Sequence, residues 1–270
     1  MEYRRFLPDP SRVSVLTAAV LLAHALTRVL SAGVFPVNIP LAGIALTFNV
    51  NLNTAIAILA AGLTATGMDW LLRSHPSLRQ QRTLEYWLLP TLTALVVGIA
   101  LSTLPPGPLW WLGFGLGGIL LVMVFLAEYV VVDPDDVHFP LATAALTALS
   151  FTLYLILAVA LRSAGVRLFL LVPALFLAAG LVALRTLHLR LGERWEFGWA
   201  VGIALVGVQL GAALHYWPIS PVRYGLALLG PAYALTGLAV SLMEGNPFRR
   251  AAIEPALMMA VMWGLALWFR

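Results

Sequence analysis

The chain has 270 residues, of which 61% are hydrophobic and 10% are charged, and its formal net charge at pH 7 is +4. Soluble domains have about 45–50% apolar and about 25% charged residues, so this chain needs lipid rather than water around much of its surface. Cysteine and lysine are absent, which excludes disulfides, thiolate metal sites, thiol nucleophiles and Schiff-base chemistry.

The apolar runs are long and continuous rather than alternating, which favours membrane-spanning helices over a β-barrel. No polar block of the size of a soluble domain separates them, so we expect one transmembrane domain over residues 1–270. The sequence therefore predicts an all-α polytopic membrane protein with about nine transmembrane helices. The approximate spans are Val13–Ala32, Leu52–Leu72, Leu84–Leu104, Leu109–Val132, Phe139–Leu161, Leu168–Leu187, Phe197–Tyr216, Val222–Met243 and Ala252–Phe269.

The segment between the first two spans has a different pattern. From Leu46 to Asn53 it alternates strictly between apolar and polar residues, which is the period of a strand. Upstream, Val34–Ile39 is a second β-branched run, and a Pro-Leu-Ala-Gly turn follows it. We expect a short extracytoplasmic β-hairpin here, with a re-entrant or irregular segment as the alternative. The strand would place its polar residues on one face, namely Thr47, Asn49, Asn51 and Asn53.

Small residues recur in several spans and permit close approach between helices. The second span is rich in small residues, so we expect it inside the helix bundle; they are Ala60, Ala61, Gly62, Ala65 and Gly67. The glycines of the fourth span suit another tight contact; they are Gly113, Gly115, Gly117 and Gly118. In the seventh span, Gly198 and Gly202, and then Gly207 and Gly211, stand four residues apart, and glycine-rich spans could serve as faces for a partner subunit.

Arginine placement orients the spans. With the N-terminus in the cytoplasm, most arginines fall on the inner side, as the positive-inside rule requires, and we expect a multi-pass protein of the inner cell membrane. The inner arginines would be Arg4, Arg5, Arg12, Arg73, Arg79, Arg82, Arg185, Arg190, Arg194, Arg249 and Arg250. The outer ones would be Arg28, Arg162, Arg167, Arg223 and Arg270.

The carboxylates are more strongly segregated than the arginines. In this topology all twelve Asp and Glu residues lie on the cytoplasmic side, so the outer side carries arginine without acid. The arginines occur in ones and twos at span ends, which is typical of membrane proteins, and we expect no nucleic-acid partner.

The outer arginines suggest a binding site. His24 and Arg28 share a helix face, and an arginine within a span needs a partner that no outer carboxylate can supply. We hypothesise an outward pocket for a small or lipidic molecule, anionic ones included. Its residues would be His24, Arg28, Asn49, Asn51, Asn53, Gln209, His215, Tyr216 and Arg223. The alternative is that these arginines extend to lipid phosphates.

A second polar group lies on the inner side, with Asp69, Arg73, His75, Glu85 and Glu128, followed by the loop Asp133–His138. Acids and histidines of this kind could hold a divalent cation for a membrane transferase. The two separate Asp-rich motifs of membrane prenyltransferases are absent, so we expect no metal, no cofactor and no catalytic residue. The alternative has Asp69 pairing with Arg73, and the other acids in surface ion pairs with arginines such as Arg185.

The segment Thr64–Pro76, which follows the Asn-rich stretch, resembles a segment shared by a family of uncharacterised bacterial multispanning membrane proteins. The resemblance implies no activity and assigns no residue a role. Three functions stay open. The first is the binding or passage of a small or lipidic molecule from the outer side. The others are an assembly subunit with glycine-rich partner faces, and a metal-dependent transferase using the inner acids.

Overall fold

A computed structural model describes residues 8–29, 34–41, 44–78, 83–192 and 194–268, without the side chains of residues 28–54. Long helices dominate these residues, and two short strands lie between the first two helices. The elements are α1 Pro10–Val29, β1 Val34–Leu41, β2 Ile44–Asn51, α2 Leu52–Leu72, α3 Leu88–Thr103, α4 Pro108–Val130, α5 Phe139–Ser163, α6 Leu168–Arg190, α7 Phe197–His215, α8 Pro221–Met243, α9 Phe248–Ala251 and α10 Ile253–Trp268.

Nine helical segments in the described ranges are long and apolar enough to cross a membrane. They are α1, α2, α3 with the 3-10 turn Leu84–Trp87 before it, α4 to α8, and the pair α9–α10. A helix pairs its backbone amides and carbonyls internally, which is what hydrocarbon demands of a spanning segment. The predicted class is confirmed: this is a multi-pass integral membrane protein in a lipid bilayer. Its orientation and its assignment to the inner membrane stay predictions.

The alternating segment between α1 and α2 contributes the two strands. β1 and β2 pair antiparallel, with Val34 opposite Asn51 and Leu41 opposite Ile44. Residues 42 and 43, which connect the strands, lie outside the described part of the chain. Whether the paired segment lies on the extracytoplasmic rim or re-enters the membrane stays a prediction.

The helices pack in two compact units, Leu7–Tyr129, called the N-terminal unit, and Val130–Arg270, called the C-terminal unit. In the N-terminal unit, α2 packs against both α1 and α3. In the C-terminal unit, α6 packs against α7, and α8 packs against α5, α7 and α10. The expectation of a single transmembrane domain stays a prediction.

Glycines of α4 face side chains of α3 in the N-terminal unit. A Cβ atom built on Gly117 of α4 would lie 2.7 Å from Val97 Cγ1 of α3, and one on Gly113 would lie 2.7 Å from Leu104 Cδ1. Beside this contact, the Trp110 ring stacks on the Phe114 ring at a centroid distance of 5.1 Å. The glycines of α4 therefore admit the side chains of α3, as small residues do in membrane helix pairs.

The two glycine pairs of α7 have different surroundings. A Cβ atom on Gly211 would lie 2.9 Å from Leu175 Cδ1 and 3.1 Å from the Tyr224 hydroxyl, so this glycine is packed inside the C-terminal unit. Gly198 and Gly202 are exposed, and nothing described lies within 4 Å of a Cβ atom placed on either. The first pair therefore faces away from the unit.

Gly225 allows the close approach of α8 to α5 to be tested. A Cβ atom there would lie 2.7 Å from Val159 Cγ2 and 2.8 Å from Leu155 Cδ1, at the contact of α8 with α5. Overpacking of this kind costs about 1–3 kcal/mol, so we expect Gly225→Ala to lower the melting temperature of the detergent-solubilised protein. Gly202→Ala is the matched control, because it adds the same methyl group to a helix in open space. Equal melting temperatures for the two variants would contradict the close approach of α5 and α8.

Candidate functional site

Asp69 joins the end of α2 to the turn before α3. Arg73 Nε donates to Asp69 Oδ2 at 2.6 Å, which confirms the predicted i, i+4 pair. The hydroxyl of Thr83 donates to the other carboxylate oxygen, Oδ1, also at 2.6 Å. Both oxygens of the carboxylate are therefore used, and the two chain segments are held together at this end of the N-terminal unit.

Arg12 fixes the start of α1 to the same place. Its Nη1 donates to the Trp70 carbonyl at 3.1 Å, and its guanidinium carbon lies 4.8 Å from the centre of the Trp70 ring. A cation over an indole face contributes about 0.5–1 kcal/mol at an exposed site. Arg12 thus contacts both the backbone carbonyl and the ring of Trp70.

His75 and Tyr129 form the third contact at this end. Their rings meet edge to face with centroids 4.6 Å apart, and the Ser77 amide donates to His75 Nδ1 at 3.1 Å. His75 is therefore a buried histidine that packs the end of α2 against the end of α4.

The predicted inner cluster is thus only partly assembled. Asp69 and Arg73 are in contact, His75 contacts Tyr129, Glu85 is half-buried, and Glu128 is fully buried. Across the described ranges, no group of three or more His, Asp or Glu side chains is arranged to hold a metal ion. The transferase hypothesis therefore gains no supporting site from these residues.

The expectation of surface ion pairs is wrong for four charged residues. Glu128 is 0% exposed and Arg185 is 1% exposed, while Asp133 and Asp136 are 5% and 4% exposed. Each of the four has polar partners, as a buried charge requires. The prediction failed because these residues lie near span ends, where the sequence does not determine which helix face or loop side is covered.

In the loop before α5, aspartate side chains accept hydrogen bonds from backbone amides of the same loop. Asp136 Oδ1 accepts from the His138 amide at 2.7 Å and lies 3.2 Å from His138 Nδ1. Asp133 Oδ1 accepts from the Asp135 amide at 3.0 Å. These are the local turns that aspartate favours, so the loop uses these carboxylates to build the entry to α5.

His24 lies in the packed interior of the N-terminal unit. Its side chain is 2% exposed, and its Cε1 would lie 2.8 Å from a Cβ atom on Gly98. The histidine therefore packs α1 against α3. The other predicted residues of this part are Arg28, Asn49, Asn51 and Asn53, whose side chains lie outside the described residues.

The remaining predicted residues belong to the C-terminal unit. His215 and Tyr216 are in contact, with ring centroids 5.0 Å apart, and Tyr216 is 78% exposed. Gln209 is exposed on α7, and Arg223 is half-buried near the start of α8. The predicted positions are divided between the two units, and the site stays a prediction.

Arg162, which the sequence placed on the outer side but not in the site, makes the strongest polar contacts at this end. Its Nη1 donates to the His215 carbonyl at 2.5 Å, and its Nη2 donates to the Trp217 carbonyl at 2.8 Å. We call Arg162 with these two carbonyls the arginine clamp. The last carbonyls of a helix have no intrahelical partner and form the negative end of its dipole, so a cation is favoured there.

Tyr224 supports the clamp from α8. Its ring lies 5.5 Å from the Arg162 guanidinium carbon, and its hydroxyl donates to the Gly211 carbonyl at 3.0 Å. The two residues together join the end of α5, the end of α7 and the start of α8.

A groove with a volume of about 380 Å³ lies beside the turn between α7 and α8 and is lined on another side by α10. It is almost entirely apolar, and Arg223 is the one charged residue among its described lining residues. Trp263 Nε1 donates to the Ala227 carbonyl at 3.2 Å, which fixes the indole against α8. The lining consists of Leu210, Leu214, Trp217, Ile219, Arg223, Ala227, Trp263, Ala266 and Leu267.

Two buried tyrosines allow the Tyr224 contact to be tested. Tyr224→Phe removes a buried hydrogen bond, which should lower stability by about 0.5–1.5 kcal/mol and reduce the melting temperature. Tyr154→Phe is the matched control, because the Tyr154 hydroxyl is buried without a hydrogen-bond partner among the described residues. We expect that variant to be as stable as the parent or more stable. An equal loss in both variants would show that the bond to Gly211 contributes nothing.

Comparisons with known proteins place the chain in a family without assigning an activity. No curated protein and no solved structure matches it. One family model matches residues 31–269, a range that includes the clamp and the groove. This match confirms the resemblance to a family of unknown activity, and its bacterial origin stays a prediction. The chain belongs to the family described as a protein of unknown function, DUF5656.

Proposed function

We propose that this membrane protein binds an amphipathic lipid with an anionic headgroup in the groove of the C-terminal unit. The observation that carries the proposal is a single arginine, Arg223, in an otherwise apolar lining. An acyl chain would lie along Trp217 and Trp263, and the headgroup would lie beside the guanidinium. This proposal keeps the lipidic ligand that the sequence predicted. Of the predicted binding residues it keeps Arg223, which lines the groove.

The apolar lining alone would give little selectivity. Lipid tails are as apolar as leucine, so moving a chain from bulk bilayer into the groove gains packing but almost no hydrophobic free energy. Selectivity must then come from the charged end. An arginine near the membrane surface contributes about 1 kcal/mol toward an anionic headgroup, and its planar fork matches phosphate oxygens.

The surrounding charges favour an anion at this end of the unit. The clamp joins the end of α5 to the end of α7 and the turn that follows, and Arg223 Nη2, at the start of α8, lies 3.5 Å from the Leu267 carbonyl near the end of α10. Every described acid of the C-terminal unit lies at the opposite end of its helix. Asp133, Asp135 and Asp136 precede α5, Glu196 precedes α7, Glu244 follows α8, and Glu254 is near the start of α10.

A role as an assembly subunit is the second candidate, and one observation favours it. Gly198 and Gly202 are exposed on α7 with open space around them, so another helix could approach this face closely. Gly202→Leu would then dissociate a complex or oligomer in size-exclusion chromatography with light scattering. It would leave lipid binding in the groove unchanged.

Native mass spectrometry tests lipid selectivity directly. We expect the purified protein to retain phosphatidylglycerol over phosphatidylcholine, and Arg223→Gln to reduce that preference about fivefold, the equivalent of about 1 kcal/mol for one arginine. Arg167→Gln is the matched control. This arginine is exposed immediately before α6 and is not among the described lining residues.

Two results would contradict the proposal. One is equal retention of the two lipids by the parent protein. The other is an equal loss of preference in Arg167→Gln and Arg223→Gln, which would mean that arginines at this end attract anionic lipid wherever they stand, as the alternative of extension to bulk phosphates requires.

A further inference from the structure

We infer that Arg162 is the positioning residue of this groove. It is not among the described lining residues, but through the arginine clamp it holds the turn that places Trp217 and Ile219 in the groove wall. The effect on affinity rests on the proposed lipid binding, whereas the effect on the turn can be measured without any lipid.

The clamp acts on two carbonyls that flank one residue. His215 and Trp217 stand on either side of Tyr216, so two donors on one rigid guanidinium restrict the backbone between them. The Trp217 carbonyl also accepts from the Ile219 amide at 2.8 Å, and a carbonyl oxygen has lone pairs for both donors. Fixing this carbonyl therefore fixes the path of the chain from α7 to α8.

The turn between α7 and α8 is bound on one side by Arg162 of α5, and on its other side it lines the groove. Arg162 approaches from α5, and Tyr224 of α8 lies against its guanidinium. Trp263 and Leu267 of α10 also line the groove, and α10 packs against α8. A change at the end of α5 should therefore reach the groove through the turn, although none of the described lining residues belongs to α5.

A lysine at position 162 separates the charge from the geometry. Lysine would keep the positive charge near the end of α7, but its compact ammonium lacks the planar fork that serves two carbonyls at once. If Arg162 acted only by attracting an anionic headgroup, Arg162→Lys would bind lipid as the parent does. If Arg162 acts by holding the turn, Arg162→Lys should lose part of the lipid binding and of the order in the turn, and Arg162→Ala should lose more of both.

A spin label at Tyr216 reports directly on the turn. The chain has no cysteine, so Tyr216→Cys gives one labelling site, and the side chain there is 78% exposed and is not among the groove's lining residues. In the parent background we expect a broad, ordered electron paramagnetic resonance spectrum. It should narrow in Arg162→Lys and narrow further in Arg162→Ala, while Arg167→Ala, an exposed arginine outside the clamp, should leave it unchanged.

Lipid retention by the unlabelled variants completes the test. Loss of the groove wall should weaken the binding of phosphatidylglycerol and of phosphatidylcholine by a similar factor, about fivefold or more, which is about 1 kcal/mol or more of binding free energy. Arg223→Gln should instead weaken phosphatidylglycerol alone. The ratio of the two lipids thus distinguishes a positioning residue from a headgroup ligand.

An unchanged spectrum in Arg162→Ala overturns the inference, and so does an Arg162→Lys variant that matches the parent in both spectrum and lipid retention. Absence of lipid retention by the parent protein overturns the proposed function, and with it the role of Arg162 in affinity. The spectra would then still decide whether Arg162 holds the turn. If Arg162→Ala does not fold, the spectrum and lipid ratio of the more conservative Arg162→Lys decide the question.

Discussion

A charged side chain in a membrane protein must find a partner, and this constraint shapes one end of each unit. Arg162 binds the His215 carbonyl at the end of α7 and the Trp217 carbonyl in the turn that follows, and Asp69 binds Arg73 and Thr83 at the end of α2. Arg162 thereby joins α5 to a turn more than 50 positions away, and Asp69 joins the end of α2 to the turn before α3. Polar contacts at helix ends therefore fix the connections, while glycines and apolar side chains pack the helices between them.

The sequence was sufficient wherever a short-range rule applies. Continuous apolar length determines a span, so the nine spanning segments were predicted with bounds close to those observed. Helical spacing alone brings Arg73 to Asp69, and that pair was predicted as well. The glycines of the fourth span were predicted to make a tight contact, and Gly113 and Gly117 lie against α3. Only the structure shows that Gly211 is packed, whereas Gly198 and Gly202 face outward.

The sequence was insufficient wherever a contact joins distant residues. Arg162 lies more than 50 positions from the carbonyls it binds, and no local pattern pairs an arginine with the backbone of another span. The burial of Glu128 and Arg185 depends on which helix face is covered at a span end, which composition does not encode. The groove likewise depends on how α10 packs against α8, and only Arg223 of the predicted binding residues lines it.

An electron cryomicroscopy map of the protein in nanodiscs of anionic lipid tests the central claim most directly. The account predicts density for one acyl chain along Trp217 and Trp263, with its headgroup within hydrogen-bonding distance of Arg223. A groove closed by movement of α10 against the α7–α8 turn, or filled by a helix of a second chain, would contradict it.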